Sequence, residues 1–328
     1  MALIVHFYQT RFSDHQDFFE SLLDPEIRFN QNKSIPTQAA FEILVHPTPT
    51  AEWLEASPNL RAVVVPWAGI PEKTRNVMRN YPNISLHNLH HNNFNTAELG
   101  FALLLAAAKY VLPMDSALRN NDWGPRYQPT KAILLRGKTA LILGFGEIGQ
   151  ALANYCLGMG MRVIATKRNP DQADHQWDQN VTVHPPDDLD HLLPSADVLL
   201  IALPLTDETE NLIDKKQIAL MPKGSILINI GRGTIVNQYA FYEALKNGHL
   251  RAGGSDVWYN YPDADHDRSS TPPADVPFGE LDNFVLSPHR GGMVEGVEKQ
   301  RAEALAMLLN AANRGDEIPN KVDLNLGY

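Results

Sequence analysis

The run Leu141-Ile142-Leu143-Gly144-Phe145-Gly146-Glu147-Ile148-Gly149 constrains this chain more than any other stretch. It is an apolar strand that enters Gly-x-Gly-x-x-Gly and continues into an Ala/Leu-rich helix. The first glycine permits a tight turn, and the second lets backbone N–H groups approach a pyrophosphate. The third allows close helix–strand packing, with the helix N-terminus facing negative charge. Glycine triplets also mark ordinary loops, so the flanks decide. Thr139 to Leu143 reads as a buried strand, Gln150 to Leu157 as a helix, and Arg162 to Thr166 as a second strand at βαβ distance. The stretch therefore predicts a dinucleotide-binding turn.

The rest of the chain is consistent with that class. Its 328 residues are enough for two domains with large cores. A formal net charge of −10 argues against a general nucleic-acid or anionic-membrane surface. The single cysteine, Cys156, falls within the helix after the glycine loop; it reads as a packing residue and excludes an internal disulfide framework. The N-terminal Ala2-Leu3-Ile4-Val5-His6-Phe7 looks like a first strand rather than a signal peptide, and the apolar run Phe101 to Ala108 is too short to span a membrane. The expectation is a cytoplasmic protein.

Before the glycine loop, β-like runs at Leu3–Phe7, Ile43–Val45, Ala62–Val65 and Ile84–Leu86 alternate with helical segments at Thr50–Glu55 and Glu72–Arg79. A helix from about Thr96 to Leu112 follows, capped by Asn95 and stopped or kinked near Pro113. After the loop, strands are expected at Val198–Leu203, Ile226–Ile230 and Ala252–Val257. An amphipathic helix is expected from Val294 to Asn313. A glycine loop that begins only after residue 130, with a helical tail behind the last strand, points to a nucleotide domain inserted into another domain.

Four segments then fall at the carboxyl ends of predicted strands, where an open α/β sheet gathers its ligands: Leu203-Pro204-Leu205-Thr206, Asn229-Ile230-Gly231-Arg232-Gly233, Asp256-Val257-Trp258 and Ser287-Pro288-His289-Arg290-Gly291-Gly292. With the glycine loop, their order and spacing resemble the D-isomer-specific 2-hydroxyacid dehydrogenases over roughly residues 60 to 310. The resemblance implies a Rossmann-type doubly wound parallel sheet at residues 106–287, inserted into a smaller flavodoxin-like α/β substrate domain of residues 1–105 and 288–328. It makes Arg232 the catalytic arginine, whose planar fork can hold a carboxylate and the adjacent carbonyl. It makes His289 the proton donor to that carbonyl as hydride arrives. Asp256 corresponds to the acid that holds the nicotinamide carboxamide, and Thr96 would touch the nicotinamide. Gly144, Gly146, Glu147 and Ile148 would face the nucleotide, together with Leu203, Pro204, Thr209, Ile230, Gly231 and Gly291. Trp67-Ala68-Gly69 occupies the turn whose backbone N–H groups bind the substrate carboxylate, and Asn92 would approach the substrate.

The chain departs from the family pattern in three places. Tyr261 stands where a glutamate usually pairs with the histidine, so His289 should be less basic and the pH optimum of reduction more acidic. Glu280, in the loop between Tyr261 and Asp282, is a possible replacement acid. The stretch His87-Asn88-Leu89-His90-His91-Asn92 replaces the usual Gly- and Asn-containing loop; without companion Cys or acids it reads as polar lining of a substrate mouth rather than a metal site. Lys167, beside Arg168, takes the position where NAD-preferring folds carry an acid about 20 residues past the glycines. Two cations attract a 2′-phosphate, so NADP(H) is favoured and NAD(H) remains possible.

The reading is an NADP(H)-linked oxidoreductase that reduces a small 2-oxo acid of the glyoxylate or hydroxypyruvate kind, in a cleft that closes to exclude water. The resemblance also implies a homodimer. A nucleotide-sensing protein that has lost turnover is the alternative, supported by Tyr261 and opposed by Arg232 and His289. Formate-like oxidation without proton transfer has no other feature in its favour.

Overall fold

The computed structural model describes residues 2–9, 13–170, 180–263, 265–324 and 326. The chain forms two compact units, residues 1–92 with 293–328, and residues 93–292. The sequence-based division at 105/106 falls inside the helix Asn93–Lys109, all of which belongs to the second unit.

In the first unit, strands β1 (Ile4–Phe7), β2 (Arg28–Gln31), β3 (Ile43–Val45), β4 (Ala62–Val64) and β5 (Ser85–His87) form a parallel sheet in the order β2-β1-β3-β4-β5. This is the flavodoxin-like order. The central strands β3 and β4 are short and apolar because both faces are covered. Val5, Val45 and Val64 pack with Phe19 and with Leu305, Leu308 and Leu309 of the helix Val297–Arg314. Leu44, Val63 and Leu86 pack on the other side with Trp53, Leu54 and Met78. The edge strand β2 escapes the sequence reading because Arg28, Asn30 and Gln31 are exposed and leave no apolar pattern.

In the second unit, β6 (Thr139–Leu143), β7 (Arg162–Thr166), β8 (Val181–His184), β9 (Val198–Ile201), β10 (Ser225–Asn229), β11 (Leu250–Ser255) and β12 (Phe284–Leu286) are all parallel, in the order β12-β11-β10-β9-β6-β7-β8. Order reverses between β6 and β9, the switch point of a doubly wound Rossmann-type sheet, outside whose carboxyl ends ligands bind. Along β6 the side chains alternate between two cores. Ala140 and Ile142 meet the helices Asn93–Lys109 and Glu147–Gly158, whereas Leu141 and Leu143 meet the side that holds Ile218, Phe241 and Leu245. Cys156 is a fully buried member of the first of these cores, and burial pushes its thiol up to about 12.

One helix differs from expectation. It begins at Asn93, so Asn95 is a buried interior residue rather than a cap, and it ends at Lys109. Tyr110 then adopts a left-handed φ of 54° and a second helix, Val111–Arg119, leaves at 67°. Pro113 lies in the first turn of that helix, where a missing N–H costs nothing, so the break precedes the proline. No single helix among the described residues is long and apolar enough to cross a membrane, although this bent pair passes the test of length and composition.

Candidate active site

The three glycines of the loop separate cleanly by what surrounds them. Gly144 has φ +92°, and a Cβ there would lie 2.9 Å from the Ala202 carbonyl oxygen across the switch point. Gly149 packs so tightly that a Cβ would fall 2.0 Å from the Gly144 oxygen. Among the described residues nothing lies within 4 Å of a Cβ on Gly146, the N-cap of the helix Glu147–Gly158, and no side chain caps that helix. Two glycines are thus required by the protein's own packing, and the middle one leaves open space at a helix end rich in free N–H groups.

Lys167 follows β7, its N–H donating to His184 O, and Arg168 forms an ion pair with Glu208 at 3.2 Å. Thr209 is turned into its own loop: its hydroxyl donates to Pro204 O and accepts from Thr206 N–H, which fixes the turn that follows Leu203.

Arg232 is presented by a turn with little freedom. Asn229 donates through Nδ2 to Arg232 O and accepts from Gly231 N–H, so one side chain closes the turn. A Cβ on Gly231 would lie 2.6 Å from Leu203 O, and one on Gly233 would lie 2.2 Å from Trp258 O. Backbone thus approaches on both sides of the arginine. The roles of Asn229 and Gly233 are not evident from the sequence alone; the short Asn-x-Gly-Arg-Gly spacing is their one signal.

His289 lies in a loop held by Asp256. The Asp256 carboxylate is 2% exposed and accepts from Ser287 Oγ at 2.6 Å and from the N–H groups of Arg290 and Gly291, both at 2.8 Å. These bonds clamp a loop in which His289 has φ 56°, a left-handed conformation uncommon for a side-chain-bearing residue. Trp258 donates from Nε1 to Ser287 O at 2.7 Å and adds a second tether. Gly291 permits the packing, since a Cβ there would lie 2.9 Å from Asp256 Oδ2 and 3.2 Å from Thr96 Cγ2.

Tyr261 reaches His289: its Oη lies 2.8 Å from Nδ1 and accepts from Trp258 N–H at 3.1 Å. When the imidazole is neutral, the phenol can donate to Nδ1, which leaves the proton on Nε2; when it is charged, the phenol can accept from Nδ1–H. A carboxylate could only accept. Burial, and then the Arg232 charge, hold the His289 pKa below its ordinary 6.5, with Asp256 opposing. Burial keeps the Tyr261 phenol neutral by raising its pKa. Glu280 ends a short turn, Phe278–Glu280, and makes no hydrogen bond or ion pair to His289 among the described residues; Tyr261 takes Nδ1 instead.

In the first unit, Trp67-Ala68-Gly69 follows β4. The carbonyls of Trp67 and Ala68 are engaged by Leu89 N–H and by Asn88 Nδ2, whereas the N–H groups of Ala68 and Gly69 donate to no group among the described residues. Asn92 is half-buried in the turn that follows β5. The three histidines separate: His87 is buried and structural, donating from Nδ1 to Pro319 O and accepting at Nε2 from Ser85 Oγ, so it does not line a substrate mouth. His90 is exposed and His91 is half-buried. No group of three or more His, Cys, Asp or Glu among the described residues is placed to hold a metal ion.

Comparison with known proteins agrees with this layout. The family profile "D-isomer specific 2-hydroxyacid dehydrogenase, NAD binding domain" matches residues 101–291. A glyoxylate reductase of Pyrococcus horikoshii is 36% identical over 70% of this chain and 66% of its own length. One from Korarchaeum cryptofilum is 33% identical over 83% of this chain and 79% of its own. A D-isomer-specific 2-hydroxyacid dehydrogenase of Xanthobacter autotrophicus Py2, solved with NADPH and MES, superposes with a TM-score of 0.78 at 19% identity over all of both chains, a likeness of fold. With the switch-point glycine loop and the clamped Arg232 and His289 turns, these matches place the chain in the D-isomer-specific 2-hydroxyacid dehydrogenase family.

Proposed function

We propose that the protein reduces a small 2-oxo acid, of the glyoxylate or hydroxypyruvate kind, with NADP(H) as hydride donor. The observation that carries this reading is the assembly of Arg232, Tyr261 and His289 on one unit, with an imidazole held in place and hydrogen-bonded at Nδ1. Its other nitrogen is left to transfer a proton. The open N-terminus at Gly146 fits a pyrophosphate, and glyoxylate reductase relatives support the substrate class.

The nicotinamide cofactor, when bound, supplies the hydride to the carbonyl carbon. The chain's own residues do the rest. Arg232 holds the carboxylate and polarises the carbonyl. Protonated His289 gives its Nε2 proton to the developing alkoxide, and Tyr261 holds the ring in position through either protonation state. In the first unit, the N–H groups of Ala68 and Gly69, which donate to no group among the described residues, suit a carboxylate. Asp256 retains lone pairs for the carboxamide after clamping the His289 loop.

Lys167 and Arg168 favour the 2′-phosphate of NADP(H), although Glu208 already meets part of the Arg168 charge. The exposed apolar side chains Val111, Leu112, Met114 and Leu118 on one short helix fit a homodimer contact. Following NADPH absorbance with glyoxylate, hydroxypyruvate and pyruvate tests the reading. Oxidation with at least one acid is expected, and none with any acid would overturn it.

A further inference from the structure

Two side chains of the first unit, each with a buried nitrogen that has no hydrogen-bond partner, take no part in the reaction described above. Arg301 lies on the second turn of the helix Val297–Arg314 and is 8% exposed. Its Nη1 donates to Glu298, while Nε is buried without a hydrogen-bond partner and Nη2 donates to nothing among the described residues. Nε and Nη2 form the side edge of the guanidinium, which binds a carboxylate or phosphate through two parallel N–H···O bonds. His91 supplies a second such group. Its Nδ1 is likewise buried and unpartnered, and the Arg301 charge acts on its ring. Burial, then Arg301 and His90, bring the imidazole down to about 4, so near neutral pH it can present one N–H without adding charge.

The arrangement is hard to explain as scaffolding. A buried guanidinium with an unmade N–H is unfavourable. Glu298 offsets the charge but occupies only the end of the fork. Arg75 also leaves its Nε buried and unpaired, but among the described residues only Arg301 has a second such group, His91, whose ring feels its charge; Arg61 and Arg251 reach carbonyl oxygens, at Ala312 and Lys131.

We infer that Arg301 and His91 form an oxyanion subsite that takes a carboxylate or phosphate group of a small molecule. The group can come from the substrate, as the distal acid of a 2-oxo acid with two anionic ends, or from a free anionic effector. The first source follows His91 being the chain neighbour of Asn92; it rests on the reduction proposed above, whereas the subsite itself does not.

Two arms separate these readings. In the binding arm, succinate and inorganic phosphate are titrated by calorimetry into the wild-type protein, Arg301→Gln and Arg301→Lys. Saturable binding is expected for at least one anion in the wild type. It should weaken about tenfold or more in both variants, because Lys keeps the charge and loses the fork. Unchanged melting temperatures without anion establish that both variants fold. No binding to the wild type, or equal binding to all three proteins, overturns the subsite whether or not the protein turns over.

In the kinetic arm, oxaloacetate is compared with 2-oxobutyrate, a monoacid of the same length. A loss in kcat/KM of roughly thirtyfold or more confined to oxaloacetate in Arg301→Gln assigns the subsite to the substrate. Succinate changing the 2-oxobutyrate rate in the wild type but not in Arg301→Gln assigns it to an effector. Equal losses on both acids contradict both assignments. Absence of turnover with every acid refutes the reduction and leaves the binding result to decide the subsite.

Discussion

Replacing Tyr261 tests how this chain works without the usual glutamate. Tyr261→Phe removes the Oη that lies 2.8 Å from His289 Nδ1 and 3.1 Å from Trp258 N–H. Two hydrogen bonds at about 1 kcal/mol each set the loss near 2 kcal/mol, or roughly thirtyfold in kcat/KM at about 1.4 kcal/mol per decade. Tyr261 is 47% exposed, so water can restore part of the bonding, and the expected loss is nearer tenfold. Tyr261→Glu changes the pH dependence instead. An ion pair at about 4 Å is worth at most about 4 kcal/mol at an effective dielectric of 20. Solvent screening at a half-exposed position reduces that to about 1 kcal/mol, or slightly under one pKa unit. The His289 pKa is held below 6.5 by burial and Arg232, and reduction needs the imidazolium. The rate of the wild type should therefore fall as pH rises through a value below 6.5, and Tyr261→Glu should move that limb upward by about one unit. Profiles of kcat/KM against pH for the three proteins provide the assay. A wild-type rate that does not decline until well above about pH 8, or a limb that Tyr261→Glu leaves in place, would refute the reasoning.

Gly146→Ala should fold with a melting temperature close to wild type yet weaken NADPH binding about tenfold or more, because its Cβ enters only the space a phosphate would use. Gly149→Ala should lose several kcal/mol of stability, since its Cβ would fall 2.0 Å from Gly144 O; thermal melts and NADPH titrations distinguish the two. Lys167→Ala with Arg168→Ala should lower the preference for NADPH over NADH about tenfold or more, read as the ratio of kcat/KM values. His46, whose pKa burial and then His6 lower from 6.5 to about 4, gives a stability test. Its folded pKa is depressed, so its contribution is present above 6.5 and lost as pH falls towards 4, at most about 3 kcal/mol. Denaturant melts of wild type and His46→Gln should converge over that interval, and parallel curves would contradict it.

The parts of the fold legible in the sequence are those in which one local pattern determines the outcome. Strand β6 is apolar throughout because it is covered on both faces, and the glycines that follow it are required by contacts within a few residues and across one strand. Strand β2 is an edge strand of mostly exposed polar residues, so it exists through pairing with a neighbour and carries no periodic signal of its own, whereas the alternation of the edge strand β8, Val-Thr-Val-His, is too short to stand out. The sequence points to a helix break near Pro113 because proline is the visible breaker, whereas the left-handed Tyr110 at which the helix breaks has no sequence signature. At the site, Arg232, Asp256 and His289 were legible through segment order. The partner of His289 was not fixed by spacing alone; coordinates were needed to put Tyr261 against Nδ1 and to leave Glu280 exposed. Asp256 shows a similar limit: family resemblance implied a cofactor contact, and the structure adds a clamp on the His289 loop.

The most direct test of hydride transfer served by Arg232 and His289 compares NADPH binding with NADPH oxidation in the wild type and in Arg232→Ala. The expected result is that both proteins bind NADPH with similar affinity, that the wild type oxidises it with a 2-oxo acid, and that Arg232→Ala loses about a thousandfold or more in kcat/KM. Tight NADPH binding by the wild type without oxidation by any 2-oxo acid, or an Arg232→Ala variant that turns over as fast as the wild type, would contradict it.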